Sequence, residues 1–259
     1  LSATGNRKIQ AGFEPLVSGF IRAPRNDVEA LEQIARHNPD VVAVLLEPIQ
    51  GEGGVIPLAA DYLRGVRSLC DSHGWLLMLD EVQCGNGRSG HYFAYQKVGV
   101  RPDVVTTAKG LGNGVPIGAC LAGGAASDVL GPGHHGSTYG GNPLASAVGL
   151  TVVDTIRQQN LTAHADAMGS LFRTTFMERL EQPAAVADLR GSGLMLGIEL
   201  TRDCGELVGR GLEAGLLINV TAGRTVRLLP PLVISEAETR ELATGVADLI
   251  NTFHRETAV

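Results

Sequence analysis

Residues 75–83 read WLLMLDEVQ, an apolar run that ends in two adjacent carboxylates. The apolar part, Trp75–Leu79, is typical of a strand that is covered on both faces. Similar runs occur at residues 41–46, 103–107 and 117–121. Apolar residues at helical spacing separate the first two of these four strands, over residues 60–73. This alternation of strands and helices predicts an α/β fold with a mostly parallel sheet.

The pattern changes after residue 160. Helical spacing extends over residues 161–180 and 236–254, and short strand candidates lie between them, at residues 186–189, 194–200, 217–220 and 226–229. Earlier helices are predicted at residues 27–36 and 142–158. We therefore predict a large domain over residues 1–160 and a smaller C-terminal α+β domain over residues 161–259.

The composition is that of a globular protein with a sizeable core. Of the 259 residues, 44% are hydrophobic and 19% are charged, which excludes a disordered or fibrous chain. The net charge is −6 and Lys and Arg form no cluster, so we expect no nucleic-acid partner. The apolar runs are too short to span a bilayer, so we expect no membrane partner. Four widely spaced cysteines favour reduced thiols in a cytoplasmic protein.

Two further motifs are weak evidence for a ligand site. Gly85–Gly90 matches G-x-G-x-x-G after a strand, but no helical run follows it, so we interpret it as a loop near the site. His134 and His135 have no third ligand at a suitable spacing. We therefore interpret them as loop residues and expect no metal.

Chemically active side chains follow three of the predicted strands. These segments are residues 47–54 (EPIQGEGG), 80–83 (DEVQ) and 108–110 (AKG). Ligands of open α/β sheets bind beyond the carboxyl ends of the strands, where these segments would meet. The sequence therefore predicts a site at this edge of the sheet.

Lys109 and Asp80 offer a specific chemistry at that edge. A lysine amine can hold an aldehyde as an imine, and a buried carboxylate can keep a ring nitrogen protonated. Val82 would point to the same side as Asp80 and pack on a ring face, and Gln83 could hydrogen-bond a ring hydroxyl. An aspartate that only caps a turn and a lysine that is only solvated remain the alternatives, so these residues alone do not name the ligand.

Four strings carry a resemblance to a known family. They are residues 47–54 (EPIQGEGG), 79–90 (LDEVQCGNGRSG), 108–110 (AKG) and 135–143 (HGSTYGGNP). In this order they resemble the signatures of class III pyridoxal-phosphate-dependent aminotransferases of fold type I, and the resemblance extends to the last helix. Within the family, residues 83–85 and 226–232 are most similar to members that act on N-acetylornithine.

The resemblance implies a role for each residue at the cofactor ring. Lys109 would hold pyridoxal 5′-phosphate covalently and move the proton during the reaction. Asp80 would pair with the protonated ring nitrogen, Val82 would stack on the ring, and Gln83 would lie near its phenolic oxygen.

The resemblance also implies a homodimer and a substrate site. Ser137 and Thr138 would bind the cofactor phosphate of the neighbouring subunit. Arg227 would bind the α-carboxylate of glutamate through a bidentate fork. Glu52 would pair with Arg227 when the substrate presents no carboxylate there. For Glu47, the alternative to a functional role is that it supports the loop and Gln83.

The expected reaction is transamination of N-acetylornithine, or a close ω-amino analogue, with 2-oxoglutarate. It would give the semialdehyde and glutamate, as in arginine biosynthesis. The alternatives are an ornithine, 4-aminobutyrate or succinyl-diaminopimelate aminotransferase, or a non-catalytic fragment of such an enzyme. The resemblance begins inside the family pattern, so the large domain is expected to be incomplete at its N-terminus. A phosphate-binding turn, a ring-stacking aromatic residue and a substrate-binding arginine would precede Leu1.

Overall fold

The computed structural model describes residues 1–257, which form two compact units, Leu1–Val41 and the chain from Val42 onward. The first unit contains helices α1 (Arg7–Gln10) and α2 (Val28–His37). Helix α2 begins where predicted because the Asp27 carboxylate accepts a hydrogen bond from the backbone N–H of Ala30 at 2.9 Å.

Within residues 42–257, the second unit contains ten strands and five α-helices. The strands are β1 (Ala43–Leu46), β2 (Ile49–Gln50), β3 (Ile56–Pro57), β4 (Leu76–Asp80), β5 (Val104–Thr107), β6 (Ala119–Ala122), β7 (Val186–Ser192), β8 (Met195–Leu200), β9 (Asn219–Thr221) and β10 (Thr225–Leu228). The helices are α3 (Ala60–His73), α4 (Pro143–Gln158), α5 (Leu161–Arg179), α6 (Leu207–Glu213) and α7 (Glu236–Thr257). No helix within residues 1–257 has both the length and the apolar character needed to cross a bilayer.

The first sheet has the strand order β1-β4-β5-β6. Strands β1, β4 and β5 are parallel, and β6 runs antiparallel to β5. Leu46 pairs with Leu79 and Asp80 pairs with Thr106, so the carboxyl ends of the three parallel strands lie at one edge. The predicted α/β class with a mostly parallel sheet is confirmed.

This sheet is incompletely covered at β1 and β6. Leu45 on β1 is 44% exposed, and all four residues of β6 are exposed. The prediction that the run at residues 41–46 is covered on both faces is therefore wrong. Strand β4 is better covered, because Leu77 and Leu79 are buried in its middle.

The C-terminal sheet is antiparallel, in the order β7-β8-β10-β9, and it packs against α5 and α7. Strand β7 extends beyond the predicted end at Leu189, because its ladder with β8 continues to the pair Ser192 and Met195. Gly191 permits this continuation: its φ is +113°, and a Cβ there would lie 1.9 Å from the carbonyl oxygen of Met195. The domain boundary near residue 160 stays a prediction.

The core under the C-terminal sheet yields a stability prediction. Phe172 on α5 is fully buried, and its ring centroid lies 5.8 Å from that of Phe176. We expect Phe172→Ala to lower the free energy of unfolding by about 3–5 kcal/mol, because the cavity is lined by side chains that cannot collapse fully. Met177→Ala on the same helix is the control, since Met177 is 44% exposed. Similar losses for the two variants in chemical denaturation would contradict this assignment of the core.

Candidate active site

The three chemically active segments meet at the carboxyl edge of the parallel strands. Glu47 follows β1, Asp80 ends β4, and Lys109 follows β5 after a single intervening residue. The Lys109 side chain is exposed and lines an open cleft of ≈ 380 Å³ together with residues 114–117. The predicted convergence of the three segments is therefore present in the structure.

Asn86 holds the segment that carries Lys109. Its side-chain amide donates to the Thr107 hydroxyl at 2.9 Å and to the Ala108 carbonyl at 3.1 Å. Asn86 is buried and has a φ of +54°, a conformation that asparagine tolerates better than most residues. Sequence reasoning identified the loop but missed this residue. The available signal was an asparagine between two glycines after a strand.

Asp80 and Glu81 are adjacent in sequence but lie in different environments. Asp80 is partly buried and accepts a hydrogen bond from the backbone N–H of Val82 at 3.0 Å. Within residues 1–257, no lysine or arginine forms an ion pair with Asp80. Its carboxylate is therefore available to a cationic group of a ligand.

Glu81 is fully buried and supports the candidate site through its hydrogen bonds. Its carboxylate accepts the backbone N–H groups of Ala94 and Tyr95, both at 2.9 Å, and the Cys84 thiol at 3.0 Å. Burial raises the pKa of Glu81, although these hydrogen bonds oppose the shift. Burial likewise raises the pKa of Cys84 well above its ordinary value, so this thiol is a packing group.

The loop at residues 47–54 is closed by Glu47. Its carboxylate accepts the backbone N–H of Gly51 at 3.0 Å. Burial raises the pKa of Glu47; the negative charge of Asp80 adds to this shift and the positive charge of Lys109 opposes it. The pKa of Glu47 is thus coupled to both groups at the edge of the sheet. A Cβ on Gly51 would lie 2.1 Å from the Gln83 side-chain oxygen, so a larger residue at position 51 would displace the Gln83 amide from its observed position.

Glu52, Gln83, Arg227 and Asn219 form one hydrogen-bonded network. Arg227 Nη1 donates to Glu52 at 2.6 Å and to the Gln83 amide oxygen at 3.1 Å. The Gln83 amide nitrogen donates to the same Glu52 oxygen at 3.2 Å. Arg227 Nη2 donates to the Asn219 side-chain oxygen at 3.1 Å. The hydrogen bond from Arg227 lowers the pKa of Glu52, which keeps this carboxylate charged at neutral pH.

Ser137 and Thr138 lie apart from this network. Both are exposed, and within residues 1–257 neither side chain hydrogen-bonds to Lys109, Asp80 or Arg227. The role predicted for them across a subunit boundary stays a prediction, as do the roles predicted for the other site residues.

A parallel sheet with lysine and aspartate at its carboxyl edge, followed by an antiparallel C-terminal unit, defines a fold type I aminotransferase. The chain belongs to the class-III aminotransferase family, whose model matches residues 1–250.

Relatives of the chain carry more specific names. It is 53% identical over 253 residues to the acetylornithine aminotransferase of Nitrosomonas europaea and 52% identical to acetylornithine aminotransferase 1 of Bordetella parapertussis. These matches cover 98% of this chain but only 64% of each relative.

Solved structures give a similar picture. The ornithine aminotransferase of Toxoplasma gondii has a TM-score of 0.92 at 36% identity, covering 98% of this chain and 62% of that one. The acetylornithine aminotransferase of Elizabethkingia anophelis has a TM-score of 0.85 at 36% identity, covering 93% and 62%.

Class III aminotransferases use pyridoxal 5′-phosphate, and the residues at the edge of the sheet fit this group. An exposed lysine amine suits the cofactor aldehyde, and a carboxylate without an ion-pair partner among residues 1–257 suits a protonated ring nitrogen. Asp80 ends β4 and Lys109 follows β5. Because these strands are parallel neighbours, one bound ligand can contact both side chains.

The raised pKa of Glu81 gives a test of its structural role next to Asp80. Burial raises the pKa of Glu81 above its ordinary value of 4.5, so the folded protein holds this proton more tightly than the unfolded chain does. The protonated Glu81 side chain therefore contributes its full stability below pH 4.5, and this contribution is lost as pH rises through the raised pKa. We therefore expect the free energy of unfolding of the native protein to fall, relative to that of Glu81→Gln, as pH rises. Urea denaturation from about pH 4 to 8 measures this difference. Glu178→Gln, at an exposed position, is the control; parallel curves for native protein and Glu81→Gln would contradict the assignment.

Proposed function

We propose that the protein is a pyridoxal-phosphate-dependent aminotransferase that moves the amino group of N-acetylornithine, or of a close ω-amino analogue, to 2-oxoglutarate. The products are the semialdehyde and glutamate. The observation that carries the proposal is that the Lys109 amine lines an open cleft, while Asp80, at the end of the neighbouring parallel strand, has no ion-pair partner among residues 1–257. The names of relatives at 51–53% identity support the choice of amino donor.

Asp80, Val82, Gln83 and Lys109 would hold the cofactor. When bound, pyridoxal phosphate supplies a ring that withdraws electrons from the reacting carbon of the substrate. Asp80 holds a proton on the ring nitrogen, because a carboxylate nearby favours the charged form of that nitrogen. The hydrogen bond from Val82 fixes the Asp80 carboxylate for this task.

Lys109 has two tasks in the proposal. Its amine would hold the cofactor covalently and, when free, would accept a proton from the substrate carbon as a general base. Asn86 supports both tasks, because its bonds to Thr107 and Ala108 fix the backbone just before Lys109.

Arg227 and Glu52 would let one pocket serve two substrates. Arg227 binds the α-carboxylate of glutamate or 2-oxoglutarate through its planar fork. With an amino donor that has no carboxylate at this point, Glu52 keeps the arginine paired, as it does in the structure at 2.6 Å. Without Glu52, the donor would leave a nearly buried charge uncompensated.

Ornithine is the second candidate for the amino donor. It is favoured by the solved ornithine aminotransferases, of which that of Toxoplasma gondii has a TM-score of 0.92. Competition between N-acetylornithine and ornithine for one enzyme preparation discriminates the two candidates. Four curated relatives at 51–53% identity are named acetylornithine aminotransferase, which supports N-acetylornithine as the first candidate.

We also propose that the protein acts as a homodimer. Exposed apolar side chains occur close together along the chain, at Leu130, Tyr139, Leu144 and Leu150. Ser137 and Thr138 lie in the same part of the chain. In the proposed dimer, the Ser137 and Thr138 hydroxyls of one subunit would bind the cofactor phosphate of the other. Burial of the exposed apolar side chains between the subunits would stabilise the dimer.

The proposed setting is arginine biosynthesis in the cytoplasm. All four cysteines are free, as expected in a reducing compartment. The names of the relatives support a biosynthetic role.

The covalent attachment of the cofactor gives a direct test. The chain has three lysines, Lys8, Lys97 and Lys109. After incubation with pyridoxal phosphate and reduction with borohydride, we expect mass spectrometry to find the added mass on the Lys109 peptide alone. We expect Lys109→Ala to lose both this mass and turnover. Lys97→Ala is the control, because the Lys97 ammonium is bonded to Ser192 at 3.1 Å. Attachment of pyridoxal phosphate at another lysine, or at none, would contradict the proposal.

The dimer is tested by its mass in solution. We expect Leu144→Asp to convert a dimer into monomers in analytical ultracentrifugation, because a charge in an apolar interface must be desolvated. Leu217→Asp is the matched control, since Leu217 is exposed on another part of the chain. A native protein that sediments as a monomer at all concentrations would contradict the proposal.

A further inference from the structure

The guanidinium of Arg227 is held from two sides. Glu52 and Gln83 accept hydrogen bonds from Nη1. On the opposite side, Asn219 accepts a hydrogen bond from Nη2 at 3.1 Å. Asn219 is the residue on β9 that pairs directly with Arg227 on β10, so the backbone ladder fixes the distance between the two side chains.

The partners of Arg227 differ in exposure. The Arg227 side chain is 11% exposed, whereas that of Glu52 is 66% exposed. Glu52 can therefore turn into solvent at small cost, because its carboxylate is already largely hydrated. Arg227 lacks that freedom, because the aliphatic part of its side chain is packed. When Glu52 leaves, Asn219 and Gln83 are the partners that remain.

The two remaining partners are neutral amides. A neutral acceptor fixes the plane of a guanidinium without cancelling its charge, whereas a carboxylate does both. The full positive charge then remains available to an incoming carboxylate. An aspartate at position 219 would have nearly the same shape as asparagine but would compete with the substrate for Arg227.

We propose that Asn219 is a positioning residue that orients Arg227 for the carboxylate of the dicarboxylate substrate, and that its neutrality sets the affinity of this pocket for that substrate. The inference rests on the proposed function of Arg227. Asn219 acts through Arg227, so it should affect the dicarboxylate half-reaction and leave the half-reaction of the ω-amino donor unchanged.

The test compares Asn219→Asp and Asn219→Ala with the native protein, each supplied with pyridoxal phosphate. We expect Asn219→Asp to raise KM for glutamate and for 2-oxoglutarate on the order of ten-fold, because like charges then face each other. We expect a smaller rise, about three-fold, for Asn219→Ala, which loses one hydrogen bond to a charged group. Glu52→Gln should lower the same KM, because it removes a competing carboxylate.

Two readouts separate positioning from general damage. The kcat/KM for N-acetylornithine should stay within about two-fold of native in both Asn219 variants, because Arg227 stays paired with Glu52 in the proposed half-reaction of this donor. Binding of glutarate, a dicarboxylate that cannot react, should weaken in parallel with KM when measured by calorimetry. Asn160→Asp is the matched control, because Asn160 is exposed and lies outside the network.

The possible outcomes distinguish this inference from the proposed function. If the native protein turns over glutamate and Asn219→Asp leaves its KM and glutarate binding unchanged, the inference on Asn219 is wrong and the proposed function stands. If Asn219→Asp impairs both half-reactions equally, Asn219 is merely structural and the inference is again wrong. If the native protein neither turns over glutamate nor binds glutarate, both the proposed function and the inference are wrong.

Discussion

The guanidinium of Arg190 holds the loop between β2 and β3 on the C-terminal sheet, and the geometry of the candidate site depends on this attachment. Its Nε donates to the carbonyl oxygens of Gly54 and Val55, at 2.9 and 3.1 Å. Its Nη1 pairs with Glu199, and the arginine is mostly buried. The Thr221 hydroxyl donates to the carbonyl of Glu52 in the same loop. Because the loop is fixed at both positions, Glu52 meets Arg227, which lies on a strand 175 residues further along the chain.

Structural and chemical tasks are divided between neighbouring residues at the edge of the parallel sheet. Asp80 and Glu81 are both carboxylates, yet the Glu81 side chain accepts hydrogen bonds from two backbone N–H groups and a thiol. Among residues 1–257, the Asp80 side chain accepts a hydrogen bond only from the backbone N–H of Val82. The buried carboxylate must be satisfied by donors, because an unpaired charge in the interior is costly. The partly exposed carboxylate needs no such set, and this is what leaves it available to a ligand.

Local patterns predicted most of the fold and the central part of the site. The apolar run that ends at Asp80 predicted strand β4 and its position at the ligand edge, and the same reasoning located Lys109 after β5. The antiparallel direction of β6 could not be read in this way, because an apolar run has the same pattern in either direction. Asn86 and Asn219 were missed for a different reason. Their partners lie 22 and 8 residues away in sequence, and asparagine has no periodic signal that marks such a contact.

In the proposed function, the ion pair between Glu52 and Arg227 has to open for a dicarboxylate substrate and close again for the amino donor. The hydrogen bond from Arg227 lowers the pKa of Glu52, so the pair persists above the ordinary titration range of a carboxyl and is lost only when pH falls through the lowered pKa. At neutral pH, therefore, protonation does not open the pair, and a second carboxylate must displace Glu52. An ion pair with one largely exposed member contributes only about 0–1 kcal/mol. A substrate carboxylate that binds both arms of the arginine exceeds this value, because bidentate charge-assisted bonds are roughly twice as strong as neutral ones. In the proposed function, the exposure of Glu52 is therefore the property that lets a substrate carboxylate displace it from Arg227.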